Sequence, residues 1–327
     1  MKRNRIACFL GLILLIGIAG IGCSKKEAET ESESKSLVDG LINEDNLTVP
    51  EGEETEIPAG EENDSPWVLL SETSVDTAVN YAGFLNESLG ATVGYAGAVS
   101  YTADGGKNWS KSSIVSACRY GLDFYDESFL ITSGNSGVNM ISEDKGENWS
   151  YLGEFPLKSS SAYNKFLSVI DRENIYIGAQ KALGVTNDGG KTWKEIELPE
   201  KCNNMAGMFF ITSETGYLLN IDGTLFKTAD SCKTWTEQVI DLAGEKILQN
   251  TMPMAAINFQ DEKNGMIIYG TKSYQVFCLK TEDGGSTWES VKMPKTFGQS
   301  PYLSRDGRFL TISTPLKKIS LYELTDK

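Results

Sequence analysis

Five near-copies of one short phrase constrain this chain more than anything else in it. They read Y-T-A-D-G-G-K-N-W (101–109), I-S-E-D-K-G-E-N-W (141–149), V-T-N-D-G-G-K-T-W (185–193), K-T-A-D-S-C-K-T-W (227–235) and K-T-E-D-G-G-S-T-W (280–288). Their tryptophans, at 109, 149, 193, 235 and 288, are spaced by 40, 44, 42 and 53 residues. A period of that length describes a supersecondary unit repeated in a stack or ring, because no single unit can bury its own apolar face.

Inside each period, short runs rich in β-branched and aromatic residues are separated by Gly, Asn or Asp, as in M-F-F-I-T, G-Y-L-L-N and T-L-F-K-T (208–228). Helical periodicity is missing, so the runs read as antiparallel strands. Four strands per period make one blade of a β-propeller. The phrase itself is the turn between the third and fourth strands. Asp104, Asp144, Asp188, Asp230 and Asp283 are placed to accept bonds from backbone N–H groups just ahead of them, and the following Gly supplies positive φ. The hydroxyl two residues earlier (Thr102, Ser142, Thr186, Thr228, Thr281) adds a local bond. Lys145 and the Ser231-Cys232 pair replace glycines, which predicts two less regular turns. Trp109, Trp149, Trp193, Trp235 and Trp288 are predicted to be buried on re-entering the sheet, and truncation of Trp193 to Ala is predicted to cost about 3–5 kcal/mol.

The pattern S/T-x-D-x-G-x-T/N-W resembles the Asp-box, or BNR repeat, of sialidases, sortilin-type propellers and propellers similar to the photosystem II stability and assembly factor. The stretch 84–109, with G-A-T-V-G-Y-A-G ahead of its box, is closest to the last group. The resemblance covers residues 65–327 and implies an all-β propeller fold. P-W-V-L-L-S-E (66–72) has no box before it, while 301–314 and 318–324 form strands with no box after them. Joining these remnants closes the ring and removes exposed edges, which predicts six four-stranded blades. Seven is the alternative if the long interval hides extra strands; residues 242–253 there read as an insertion loop with one helical turn.

Ahead of the repeats, Lys2, Arg3 and Arg5 precede an apolar run from Ile6 to Ile18 and the small residues A-G-I-G before Cys23. That layout predicts an export signal over 1–22, the apolar run being too short for a retained span. It resembles a bacterial lipobox, with Gly20 where a branched residue is usual, so Cys23 is expected to carry lipids and anchor the chain to a membrane of the cell envelope, outside the cytoplasm. Ser24 does not favour inner-membrane retention. Residues 24–64 have 14 acidic against 3 basic side chains and no aromatic, the composition of an acidic tether. Subtracting the signal and tether from 30 basic and 45 acidic residues leaves 24 and 31 in 65–327, a net of −7. An acidic domain lacks the electrostatic footprint of a nucleic-acid binder.

The chain has no histidine, which removes the commonest general base, nucleophile pairs that depend on it and most zinc sites. Cys118, Cys202, Cys232 and Cys278 are scattered; Cys202–Cys232 pairing and buried free thiols are both open. No metal or cofactor motif is present, and the glycines of 93–97 and 134–137 precede strands rather than helices, so they are hairpin turns. Resemblance to sialidases implies an arginine trio, a tyrosine with a glutamate, and an R-I-P stretch. Beyond residue 23 only Arg119, Arg172, Arg305 and Arg308 exist, and R-I-P does not occur. Arg305 and Arg308 read as flanks of a solvated hairpin, and Asp123, Asp126, Asp171, Glu214, Asp261 and Glu262 as turn residues. The expectation is a non-catalytic module that binds an envelope protein or a glycan, with a sialidase-like glycan-processing enzyme as the alternative. Its contact residues are placed near strand starts: Arg119, Tyr120, Tyr163, Lys165, Asn203, Asn204 and Tyr302.

Overall fold

A computed structural model describes residues 65–76, 79–114, 117–155, 163–242, 244–250, 252–271, 275–294, 300–314 and 318–325. The signal, Cys23 and the acidic tether lie outside the described residues.

The first strand, β1 (Trp67–Ser74), belongs to the last blade. Blade 1 contains β2 (Val79–Phe84), β3 (Gly90–Gly94), β4 (Ala98–Thr102) and β5 (Ser110–Ser113). Blade 2 contains β6 (Arg119–Phe124), β7 (Leu130–Gly134), β8 (Val138–Ser142) and β9 (Ser150–Glu154). Blade 3 is β10 (Phe166–Val169), β11 (Ile175–Ala179), β12 (Ala182–Thr186) and β13 (Lys194–Ile196); blade 4 is β14 (Met205–Phe210), β15 (Gly216–Asn220), β16 (Thr224–Thr228) and β17 (Thr236–Val239). Blade 5 is β18 (Ala255–Phe259), β19 (Gly265–Gly270), β20 (Val276–Thr281) and β21 (Glu289–Val291). Blade 6 combines β22 (Ser300–Leu303), β23 (Phe309–Ser313), β24 (Lys318–Leu324) and β1. All six sheets are antiparallel and four-stranded, so the ring has six blades, not seven, and β1 pairs with β24 from Trp67↔Leu324 to Ser74↔Lys318 to close it. Outside the strands the described residues contain two one-turn 3-10 segments, Tyr95–Gly97 and Asn135–Gly137, and no α-helix.

Residues of the long interval form no helical turn among those described. They fold as an irregular strap whose Leu242, Ile247 and Met252 are buried, and whose backbone is tied down by Ile247 N–H to the Ile221 carbonyl and Leu248 N–H to the Gly270 carbonyl. Apolar anchoring replaced the internal hydrogen bonds a helix would need.

Blades pack face to face through their strands' apolar side chains. Tyr176 stacks on Phe210 of the next blade with ring centroids 3.6 Å apart, and Tyr217 stacks on Phe259 in the same way. The Asp-box turns contribute to the same seams. In the third box the Thr186 hydroxyl donates to Asp188 Oδ1 (2.8 Å) and accepts from the Gly190 N–H (2.9 Å), while Asp188 Oδ1 accepts from the Thr192 N–H (2.9 Å). The second glycine then lies against the preceding blade: a Cβ on Gly190 would sit 2.7 Å from Leu152, and one on Gly106 would sit 2.8 Å from Thr73. Positive φ and this contact together call for glycine.

Both variant boxes keep the same geometry, contrary to the irregularity their sequences suggest. Lys145, Ser231 and Cys232 adopt φ of 67°, 60° and 64°. The Cys232 N–H still donates to the Thr228 hydroxyl (3.0 Å), and the Thr234 N–H to Asp230 Oδ1 (2.9 Å). The bonds of the turn outweigh the strain of a side chain at positive φ. Cys232 occupies the seam position of the second glycine, buried beside Tyr176 of blade 3. It is a free thiol, as is Cys202, so the two do not pair.

The box tryptophans are only half-buried. Trp109 meets Phe84 at the end of innermost β2 edge to face at 5.9 Å, and Trp288 meets Phe259 at the end of innermost β18 at 6.1 Å.

Candidate functional site

All six innermost strands run the same way around the ring. Their starts define a front face and their ends a back face. The chain turns from third to fourth strand at the back, which places the five Asp-boxes there. At the front, Tyr120 from β6 and Tyr163 from the approach to β10 bring their rings to 5.1 Å, Tyr163 being 38% exposed and Tyr120 buried. Asn203 is exposed and Asn204 half-buried at the start of blade 4.

Lys165 lies deeper, at the front end of the channel. Its Nζ donates to the Asn250 carbonyl of the strap (2.8 Å) and sits 5.0 Å from the centre of the Phe166 ring. Burial pulls its ammonium down to about 8. The strap therefore crosses from blades 4 and 5 to reach blade 3 at the channel mouth. Around that mouth, Asn135 Oδ1, Asn204 Oδ1 and both amide atoms of the fully buried Asn164 have no hydrogen-bond partner among the described residues. Unsatisfied polar atoms in such a place are where water or a ligand's polar groups gain most.

Four of the seven expected contact residues, Arg119, Tyr120, Lys165 and Tyr302, are buried. Arg119 is fully buried within blade 2. Its Nη1 donates to the Val138 carbonyl (2.7 Å), its Nε and Nη2 have no partner among the described residues, and burial lowers the guanidinium to about 10. β6 carries a register shift between Arg119 and Gly121, and the side chain of Arg119 is bonded to β8 of its own blade. Tyr302 is buried in the channel wall, where its ring lies 2.8 Å from the position a Gly83 Cβ would take and its hydroxyl donates to Asp123 Oδ1 (3.3 Å).

Asp123 is the functional-looking residue that turn chemistry misassigned. It is not in a turn but on β6, inside the channel, where Oδ1 also accepts from the Phe124 N–H (2.9 Å) and Oδ2 accepts from the Val169 N–H (2.8 Å). Burial pushes its carboxyl up to about 6, against the pull of those bonds and of Arg305. A carboxylate flanked by Leu122 and Phe124 within the strand R-Y-G-L-D-F was the available signal. Arg305 is likewise not a solvated hairpin residue: its Nη2 crosses the back of the channel to the carbonyls of Phe210 (2.9 Å) and Ile211 (3.1 Å). Between the strap and Arg305 remains a cavity of about 50 Å³, lined by Tyr81, Asp123, Lys165 and Tyr302 among others. That is room for a water or two, not a sugar ring.

The arginines do not converge. Arg119 begins β6 near the front and Arg305 follows the end of β22 at the back, while Arg172 is exposed and pairs with Glu143 (2.9 Å), and Arg308 pairs with Glu323 (2.7 Å). A six-residue strand separates front from back by about 20 Å, so no carboxylate clamp forms. The box carboxylates are committed to their turns; Asp188 is held at about 2, chiefly by the Thr192 hydroxyl.

The chain is a six-bladed β-propeller of the BNR type. It resembles the photosystem II assembly factor YCF48, whose family pattern matches residues 191–306. No curated protein sequence matches it significantly. Among solved structures, YCF48 bound to a D1 peptide shares 16% identity at a TM-score of 0.54, the match covering 83% of this chain and 100% of that one. YCF48 from Cyanidioschyzon merolae shares 14% at 0.50, covering 79% and 98%. The virginiamycin B lyase of Staphylococcus aureus shares 12% at 0.52, covering 74% and 79%. At these identities the structural likenesses establish the fold.

Proposed function

We propose that this chain is a non-catalytic binding module, lipid-anchored through Cys23 on the outer side of a bacterial membrane, whose front face engages an envelope protein. The observation that carries the reading is the mouth itself. Tyr163, exposed at the front, packs its ring on the buried Tyr120, and amide atoms without a partner among the described residues lie at the same end of the ring. An aromatic pair ringed by polar groups is the composition of a protein-binding hot spot. The YCF48 structure with a D1 peptide supports the same use of a similar propeller. Photosynthesis is no part of the proposal, since nothing in this sequence points to it.

The test is photo-cross-linking from position 163 in the full chain, in its own membrane, followed by mass spectrometry. One envelope protein recovered in near-equal amount, and lost with Tyr120→Ala, is the expected result. Recovery of bulk envelope alone, with retention on a polysaccharide instead, would replace the protein partner by a glycan.

A further inference from the structure

Three innermost strands, β2, β6 and β14, carry the same register shift at their starts, and the residue paired just ahead of it is Val79 in blade 1, Arg119 in blade 2 and Met205 in blade 4. All three are buried. Blade 2 therefore places a guanidinium where blades 1 and 4 place an apolar side chain. The other arginines of the ring have partners: Arg172 and Arg308 pair with carboxylates, and Arg305 bonds two carbonyls across the channel. Arg119 uses only Nη1, on the Val138 carbonyl at 2.7 Å.

What is left over has a definite shape. Nε and Nη2, both buried and both without a partner among the described residues, lie side by side along one edge of the planar guanidinium. Their parallel N–H groups match the two oxygens of a carboxylate. Burial draws the guanidinium pKa down, and no carboxylate raises it again. A buried cation without a counter-charge is strongly unfavourable. Water supplies acceptors for the two N–H groups but not the missing charge. We propose that this edge of Arg119 is a carboxylate-binding site at the front of blade 2. The charge count selects a monoanion, because Arg119 brings a single positive charge and Lys165, the other buried cation toward that end of the ring, is bonded to the Asn250 carbonyl. A phosphate dianion would be only half neutralised.

β6 starts at the front, where the Asn135 N–H bonds the Cys118 carbonyl (3.0 Å) and the neighbouring Tyr120 packs against the exposed Tyr163 at 5.1 Å. Arg119 itself has no exposed surface, so a carboxylate enters as the front turns beside it shift, and a small head group is favoured over a bulky one. Two sources carry that chemistry, a free organic acid and a side chain or chain end of the protein that docks on the front face. The second source rests on the partner proposed above.

The test is calorimetry of the full chain in a buffer free of carboxylates and phosphate, with sodium acetate titrated against sodium chloride at equal ionic strength. A ligand of the folded state raises the midpoint progressively once it exceeds its dissociation constant. For a free acid, acetate raises the midpoint of the parent and chloride does not. The response is lost in Arg119→Met and in Arg119→Lys, which keeps the charge without the paired edge. Arg119→Met should itself melt no lower than the parent in chloride, since Met205 holds the equivalent position and a buried charge is exchanged for an apolar side chain; Arg119→Lys carries the comparison if Arg119→Met does not fold. If acetate leaves the parent unchanged, the cross-link from position 163 decides the second source: a partner captured by the parent but not by the Arg119 variants supplies the carboxylate. A response to acetate that persists in the variants, a stronger response to inorganic phosphate, or a midpoint and a cross-link both indifferent to Arg119 overturns the site. Equal capture of one partner by parent and variants leaves the front-face reading intact, whereas a parent that captures nothing sinks that reading and leaves acetate alone to decide the site.

Discussion

Thr186→Val isolates what the repeated turn contributes. Thr186 is 1% exposed, and its hydroxyl accepts from the Gly190 N–H at 2.9 Å and donates to Asp188 Oδ1 at 2.8 Å. Valine keeps the branched shape but replaces the hydroxyl by a methyl. The buried Gly190 N–H then has no acceptor, which costs about 1–3 kcal/mol, the range for an orphaned buried donor. Gly190 cannot move to find another, since its Cβ position already lies 2.7 Å from Leu152 of blade 2. Taking about 2 kcal/mol, and about 2–4 °C per kcal/mol for a domain of this size class, the midpoint should fall by about 4–8 °C in calorimetry. Thr186→Ser retains both bonds and loses one methyl, at about 0.8 kcal/mol. Ser142 makes the equivalent bonds in the second box at 2.8 and 2.9 Å, so Ser142→Thr should be close to neutral. A Thr186→Val chain melting within a degree of the parent, or Thr186→Ser proving worse than Thr186→Val, would refute the account of the turn as a hydrogen-bonded clamp.

Asp123, with its folded-state carboxyl at about 6 against an ordinary 3.8, should make stability fall by about 3 kcal/mol as pH rises through 4–6, because the folded state holds the proton longer. Between pH 5 and 7 the box carboxylates are ionised in both states and Lys165 titrates higher, so the slope there belongs mainly to Asp123; it should vanish in Asp123→Asn, and an unchanged slope in that variant removes the assignment. Trp193→Ala, at a half-buried position, should cost about half the 3–5 kcal/mol of a core deletion, measured by urea titration; the full value would mean the indole is covered. Cys23→Ser should abolish labelling by radioactive palmitate and shift the chain from the membrane to the soluble fraction, and continued labelling would place the lipid elsewhere. Burial pushes the thiols of Cys202, Cys232 and Cys278 up to about 12, so they should react with an aromatic disulfide reagent only after denaturation; rapid reaction in the native protein would contradict the seam position of Cys232.

The sequence by itself determined the blade. A turn written five times fixes the hairpin between third and fourth strands, because Asp188, Thr186 and Gly190 act within a few residues of one another and need no distant partner. Counting strands at the two ends then determined six blades and the joining of β1 to β24. Tertiary structure alone decided which side chains meet around the channel. Asp123 reads as a turn residue and Arg305 as a solvated one until the ring brings Val169, Tyr302, Phe210 and Ile211 to them from other blades. Arg119 likewise reads as a front-face contact, whereas the folded ring buries it and bonds it to the Val138 carbonyl of blade 2. The tryptophans carry the same lesson in reverse: the repeat announced them, but their half exposure was decided by the folded ring. Local hydrogen bonding is written along the chain, whereas burial and electrostatic environment belong to the closed ring.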